Sequence, residues 1–512
     1  MDHYGFVSIL PPIIAIALAI KTKNVLFSLF VGIFFGSTVL AGWNPIKGFV
    51  NLIPNYIYEQ VASDSNMQSL TNLLIIGAFV TLIGATGGAA AFANKIGKVI
   101  NNKKKTEIAM WLGGLFVWFS DSANSLLVGP IFHPIGEKFK VSREKFAYIL
   151  DATSSPICAM VPIISWGVYI MGLIQTELEA LPQVTMTSWD IFVGAVPYQY
   201  YSILTLLMVG YLAYTQFDYG PMLKAQRRAE AGIVLREGAV PLRDTRVVEL
   251  PKGVEPKARM VVVPLIALLT VMFTIFILNG FPKQSLSGIV IRQGIALGFI
   301  VGGIIAAVMA YQNKIMTLKQ LEDTVFDGMK GMVYLMVLMI FAWSLGSLTK
   351  QLGTANYIVE LSEGFLNPGF LPVIMFIVGC LMSLPTGSSW GPYAILMPIG
   401  IPVAVQMGAP VVVTVAAIIC GGLFGDHCSP LSDTTLLASM GAASDHMDHF
   451  KTQFPYALTV AFVSAILYLI AGFTESTIIL VPGIIALFVI VYFLHKASVK
   501  KIENLSEKEL AS

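Results

Sequence analysis

The chain has 512 residues, is 56% hydrophobic and 12% charged, carries a net charge of +2, and has a mean hydropathy of +0.75. This composition excludes a soluble enzyme with a single anchor and describes an all-α polytopic membrane protein whose first partner is the lipid bilayer. No basic stripe is interleaved with aromatics, which excludes nucleic acid. The four cysteines (Cys158, Cys380, Cys420, Cys428) lie in apolar segments and make neither a zinc spacing nor a secreted disulfide framework.

Phe6–Ile20 and Val25–Ala41 read as two spans joined by the tight loop Lys21–Asn24. The N-terminus has no basic region and no cleavage site, so the first run is a span and not a removed signal peptide. Pro45–Gln60 mixes apolar and polar residues and suits the interface. Leu70–Ala93 is a third span, followed by Lys95, Lys98, Lys103, Lys104 and Lys105. Ile108–Phe119 and Leu126–Ile135 are apolar but short of the roughly 20 residues a crossing needs. Between them lies the polar run Ser120–Ser125, and after them come Lys138, Lys140, Arg143 and Lys145. Both flanks are basic, and the positive-inside rule places both in the cytoplasm. A re-entrant hairpin with a polar tip meets that condition, whereas a single kinked helix does not. Phe146–Ile174 is long enough to span but is interrupted by Asp151–Pro156. The loop with Glu177, Glu179 and Asp190 is acidic and reads as external, and Val196–Thr215 returns inside. Gln216–Arg259, rich in Lys and Arg, is a cytoplasmic linker with helix around Met222–Ala231.

The second half repeats the plan. Met260–Gly280, Ile291–Tyr311 and Gly331–Thr349 are spans, with Met316–Met329 as an interfacial arm. Phe370–Leu384 and Trp390–Val405 flank Pro385–Ser389 as a second hairpin. Pro410–Phe424 and Leu436–Ala443 flank Gly425–Thr435, a polar stretch near the membrane midplane. Phe454–Phe473 and Ser476–His495 are the last spans, ending in Lys496, Lys500 and Lys501. Local matches recur in the same order at a near-constant offset: Ala93-Asn94 with Ala355-Asn356, His133-Pro134-Ile135 with Met397-Pro398-Ile399, and Ser155-Pro156 with Ser429-Pro430. The halves therefore read as two inverted-topology repeats, each with a re-entrant hairpin and a discontinuous transmembrane helix. The expected division is 1–215 as the first repeat, 216–259 as the linker, 260–475 as the second repeat, and 476–512 as an extra span and cytoplasmic tail. That makes about 11 full spans, with the N-terminus outside and the C-terminus inside. Lys283 and Arg292 sit in a connection that this count places outside, against the rule.

Lipid cannot solvate these breaks, and a central Asp costs roughly 2.5–3.5 kcal/mol. Polar, broken backbone persists at that depth only when buried in protein or lining a cavity. Half-helix ends present N–H groups to anions and carbonyls to cations. Asp121, Ser122, Asn124 and Ser125 with Asp151, Thr153 and Ser154 form one expected cluster. Thr386, Ser388 and Ser389 with Asp426, His427, Ser429, Ser432, Asp433 and Thr434 form another. Sodium wants such hard oxygen donors, and an aspartate that binds either a cation or a proton is a sufficient basis for antiport. Bland readings stand beside these. Single hydroxyls and amides can simply bond backbone, Asp426 or Asp433 can be the N-cap of the second half-helix, and His427 can be a packing residue. Trp166 and Trp390 read as packing. Asp445, His446, Asp448 and His449 have a metal-like spacing, but a solvated turn, one that could also tune pH response, fits them better.

The stretch GDHCSPLSDTT at Gly425–Thr435, with TQFPYAL at Thr452–Leu458, resembles the NhaC family of sodium/proton antiporters within the wider ion-transporter superfamily. The resemblance implies a multi-pass secondary transporter of the cell (cytoplasmic) membrane without cofactor or catalysis. It further implies a homodimer with elevator-like motion and ions held at Asp121–Ser125, Asp151–Ser155, Thr386–Ser389 and Asp426–Thr434. Some members couple organic anions such as malate and lactate, so a sodium- or proton-coupled exchanger of a small organic acid or amino acid is the alternative. The second tip has neither acid nor Asn where the first has Asp121 and Asn124, which leaves room there for an organic substrate. An intramembrane hydrolase using Ser429, His427 and an aspartate is disfavoured, because neighbours on one short break cannot be set as nucleophile and base.

Overall fold

The computed structural model describes residues 3–22, 24–88, 91, 100–241, 257–281, 286–362 and 367–502. The end of the Leu70–Ala93 run, Lys95, Lys98, Arg243, Arg246, Lys252, Lys283 and the tail beyond residue 502 lie outside the described residues. Among the described residues the chain is helical, and its one bridge pairs Pro241 with Asp445. Apolar runs become helices because lipid offers their backbone no hydrogen bonds, so each segment must satisfy its own. Among the described residues ten helices are long and apolar enough to cross a membrane, and two bent pairs bring the number to as many as 12. The sharper bend, 119°, separates Val25–Leu40 from Pro45–Ala62. Asn44 causes it locally: its side chain accepts from Lys47 N and Pro45 occupies the first turn, so a new helix starts at a steep angle to the old one.

The first hairpin consists of Lys103–Phe116 and Asp121–Lys138. Gly113 faces the Phe132 ring and Gly136 faces Met110, so the two legs run antiparallel. The turn is Val117–Ser120, tighter than the expected tip: Asp121–Ser125 already belong to the returning helix, where Asn124 N bonds Ser120 O at 3.1 Å. An aspartate in the first turn complements the helix dipole, which favours starting the helix there. The second hairpin is Leu371–Thr386 and Trp390–Met407, and Gly400 faces Met375 across it. Gly387 closes the first leg at φ 64° with its N–H on Ser383 O, a left-handed cap that suits glycine.

Both expected broken helices are broken, but not where the polar composition suggests. The first runs Arg143–Ala152, makes one turn at Ser155–Cys158, and resumes only at Ser165–Glu179. This gap is longer than Asp151–Pro156 because Pro156 and Pro162 both lack an N–H. The second runs Val411–Cys428 and resumes at Asp433–Gly441, a gap shorter than Gly425–Thr435. Ser429 stops it at φ −97° and ψ 140°, the extended geometry that a following proline imposes. Upstream, Gly425 lets the helix lie flush on the second hairpin. A methyl built there would fall 2.1 Å from Leu384 N, and Gly425 N bonds Ser383 Oγ at 3.0 Å.

The expected arm at Met316–Met329 is a helix of its own, Leu318–Gly331, capped by Thr317 and packed along Asp64–Ala85 where Gly77 meets Gly328. Val333–Gln351 continues from it after Met332. One other expectation needs correction: the basic flanks of the first hairpin are not all solvated loop charges. Lys145 is buried between Glu107 at 2.8 Å and Asp218 at 2.7 Å, and Tyr456 donates to Asp218 at 2.9 Å. Together these residues join the first hairpin, the first broken helix, the start of the linker and the helix His446–Thr474. Arg292 is held as well: its Nε donates to Gln68 at 2.8 Å and its carbonyl accepts from Asn72 at 3.1 Å.

Candidate functional site

The site is centred on Asp426, in the last turn of the half-helix Val411–Cys428 and 6% exposed. Ser432, across the break, donates to its Oδ1 at 2.9 Å. Ser155 of the first broken helix and Ser389 of the second tip lie against the same carboxylate, without a hydrogen bond of normal geometry. Asp121 of the first tip acts on it through space. Asp121 in turn accepts from Trp166 Nε1 at 3.1 Å, and the Trp166 ring lies 4.5 Å from that of Trp390, at the start of the second hairpin's return leg. The four polar breaks therefore do meet, and the two tryptophans tie the tips together.

A second part of the cluster surrounds Asn124 and Asp151. Asn124 Nδ2 donates to Gly114 O at 2.9 Å and Thr153 O at 2.7 Å, holding the first hairpin against the first broken helix. Asp151 is fully buried and accepts from Gln453 Nε2 at 2.8 Å. Several buried oxygens have no hydrogen-bond partner among the described residues: Asn124 Oδ1, Ser125 Oγ, Asp151 Oδ1, Ser154 Oγ, Ser155 Oγ and Ser389 Oγ. An unmet buried acceptor costs about 1–3 kcal/mol, and these gather where the breaks converge. No ion pair reaches Asp151 or Asp426 among the described residues. Among the described residues no group of three or more His, Cys, Asp or Glu is set to hold a metal ion there either. The donors on offer are hydroxyl, amide and single carboxylate oxygens, which suit a small hard cation rather than a transition metal.

Other expected residues play different parts. Ser432 is the N-cap of the second half-helix, accepting from Thr434 N at 3.2 Å, so neither Asp426 nor Asp433 has that role. Asp433 is exposed at the start of that helix, away from the cluster. Thr434 is buried beside Ser432, 2.9 Å between hydroxyls. Thr153 and Thr386 spend their hydroxyls on backbone carbonyls of their own helices. Ser429 accepts from Leu431 N at 3.1 Å within the break. Ser388 is half-buried at the second tip, and the side chain of Ser122 lies outside the described residues. His427 turns away from the break, with Nδ1 2.7 Å from the Tyr201 hydroxyl.

Sequence reasoning missed Gln453, Thr435 and Tyr201, and reached Ser155 only through the family resemblance. Gln453 matters most. Its Nε2 donates to Asp151 and to His427 O, while its Oε1 lies 2.7 Å from His449 Nε2. His449 Nδ1 lies 2.8 Å from Ser439 Oγ, and His446 Nδ1 lies 3.1 Å from the same oxygen. His446 Nε2 is 2.8 Å from Pro430 O. Asp448 and His449 are buried, so the solvated-turn reading fails here. Each imidazole has a carbonyl acceptor at Nε2 and so carries its proton there. Both Nδ1 atoms then face one hydroxyl that has one hydrogen, and Thr435 O stands 2.8 Å from it too. At the outer end of this cluster Asp445 caps the helix, accepts from Val240 N at 2.9 Å, and neighbours the Arg236–Asp448 pair at 3.0 Å. Burial alone would raise the Asp445 carboxyl, but the N–H groups of Val240, Asp448 and Met447 outweigh it and hold it below its ordinary value. That contribution is present at neutral pH and is lost as pH falls through the lowered value.

Comparison with known proteins adds context to this geometry. A family model described as the Na+/H+ antiporter family matches residues 157–473. An uncharacterised protein of Haemophilus influenzae is 32% identical over 485 residues, covering 92% of this chain and 91% of its own. The malate-2H(+)/Na(+)-lactate antiporter of Bacillus subtilis is 26% identical over 155 residues, 30% of this chain and 33% of that one. Among solved structures, the YdaH transporter of Alcanivorax borkumensis, described as having an unusual topology, aligns over 80% of this chain and 87% of its own with a TM-score of 0.54 at 15% identity. That likeness is one of fold.

Proposed function

The chain belongs to the Na+/H+ antiporter family, a family of transporters and not enzymes, and on that premise we propose that it exchanges sodium for protons by alternating access. In this reading Asp426 and Asp151 bind either a proton or a sodium ion, with Asp121, Asn124, Ser125, Ser154, Ser155, Ser389 and Ser432 supplying further oxygens. The observation that carries it is the Asp426 carboxylate, buried among groups from four separate breaks and balanced by no lysine or arginine among the described residues. A buried carboxylate without a base is tolerable when a cation or proton neutralises it. The reading extends to two inverted repeats joined by the linker, an N-terminus outside and a C-terminus inside, an elevator-like shift of the hairpins with the broken helices, and a homodimer in the cytoplasmic membrane. The matching hairpin-then-broken-helix order in the two halves supports the repeat.

The test is sodium-driven proton movement in proteoliposomes, read with a pH-sensitive dye. The protein should give a sodium-dependent signal and Asp426→Asn should give none. Full exchange in that variant would remove the reading. A second reading, sodium- or proton-coupled exchange of a small organic acid or amino acid, is favoured by the name of the Bacillus subtilis relative and by the acid-free second tip. Counterflow of labelled malate or lactate separates the two.

A further inference from the structure

Away from the midplane cluster, at the end of the molecule opposite the linker, a cavity of about 240 Å³ lies between the first broken helix, the end of the span Val333–Gln351 and the return leg of the second hairpin. Glu177 lines it and is 5% exposed. Its carboxylate lies over the backbone of Gly346, where an added methyl would come within 2.7 Å of Oε1. It makes no hydrogen bond and no ion pair among the described residues. Lys350 lines the same cavity, its ammonium exposed and more than 4.0 Å from that carboxylate. The nine-residue helix Thr354–Ser362 opens into the cavity with its N-terminal end. The remaining wall is apolar, from Leu181, Pro398 and Pro402.

A buried carboxylate is costly unless a cation meets it. Here an acid and a base face one space without pairing, which leaves each for a different end of a ligand. The charges of the lining cancel, and the helix N-terminus adds N–H groups beside the lysine for an anion. We propose that this cavity binds a zwitterionic, neutral α-amino acid, its ammonium on Glu177, its carboxylate on Lys350 and the Thr354 helix end, and a small apolar side chain against Leu181 and the prolines. The ligand differs from a dicarboxylate, which offers nothing to Glu177, and from a dibasic amino acid, whose second cation meets the apolar wall. The site goes beyond sodium/proton exchange and does not depend on which ions the midplane binds.

Titration calorimetry on the purified full-length protein tests it, with L-valine, L-alanine, L-arginine and L-malate as probes, in sodium and in choline chloride. Valine and alanine should bind saturably, and malate and arginine at least tenfold more weakly. Glu177→Gln and Lys350→Gln should each weaken valine binding about tenfold or more, the loss expected for one charged hydrogen bond, while Lys350→Arg should retain it. Melting temperature checks that each variant is folded, and Lys350 is exposed enough to change without disturbing packing. Absence of neutral amino-acid binding, wild-type valine affinity in either glutamine variant, or a Glu177-dependent heat from sodium alone would each overturn the proposal. Sodium-driven proton movement in the same Glu177→Gln protein keeps the two readings apart: it should persist, and only the Asp426→Asn result bears on exchange.

Discussion

Buried charge is handled in two opposite ways at the two levels of this molecule. At the linker end every buried acid among the described residues has a base: Glu107 and Asp218 share Lys145, Glu144 meets Arg228, and Asp448 meets Arg236. Where the four breaks meet, Asp151 and Asp426 have an amide and hydroxyls instead. The first arrangement is closed, because its charges are met by the protein itself. The second is open, because no base of the protein among the described residues meets its charge. Desolvation is costly in both places, so the difference lies in where the compensation comes from, and that separates anchor from site.

The sharpest way to break this contrast is to remove one group from each region. Asp426→Asn should abolish sodium-dependent proton movement, a loss of at least about 100-fold, while leaving the melting temperature unchanged or raised, because no base is orphaned. Lys145→Met should do the reverse. It leaves two buried carboxylates without a counter-ion, a loss of about 3–5 kcal/mol for a broken buried pair, read as a large drop in melting temperature. Exchange per folded molecule should be little changed. If Asp426→Asn melts far lower than Lys145→Met, the open and closed regions have been assigned the wrong way round.

The trio of His446, Ser439 and His449 lies between the two levels, and Ser439→Ala sharpens its place. The hydroxyl is the shared partner of both Nδ1 atoms and donates to Thr435 O. Deleting it leaves the buried His449 Nδ1 unmet, a loss of about 1–3 kcal/mol, read as a drop in melting temperature. Sodium-dependent proton movement should fall less than in Asp426→Asn. An unchanged melting temperature would show that the imidazoles do not depend on this oxygen.

Much of this plan is written in one dimension. Short apolar runs around polar breaks define the hairpins and broken helices, because span length and basic flanks are local properties. The residues that turn the breaks into a site are less visible. Gln453 lies in the TQFPYAL stretch, yet a lone glutamine in an apolar helix does not reveal that it joins Asp151 to His449. The Lys145 cluster draws on residues more than 70 positions apart (Lys145 and Asp218), and in sequence its members look like ordinary flanking charges. Break boundaries are not legible in composition because backbone decides them: prolines lengthen the first, and the close fit of Gly425 shortens the second.

Asp433 is where a small expected effect tests this reasoning. By residue type and neighbourhood it looks equal to Asp426, seven residues upstream in the same polar stretch. The difference is helical phase. Asp426 ends one half-helix facing the other breaks, whereas Asp433 begins the next and is exposed, with Ser432 making the cap. What remains for Asp433 is a favourable interaction with the helix N-terminus, worth about 0.3–1 kcal/mol at an exposed position. Asp433→Asn should therefore cost no more than that in stability and keep most sodium-dependent proton movement. If it instead silences exchange as fully as Asp426→Asn, Asp433 must enter the cluster in another state of the transport cycle, and the site would then include the turn of that half-helix.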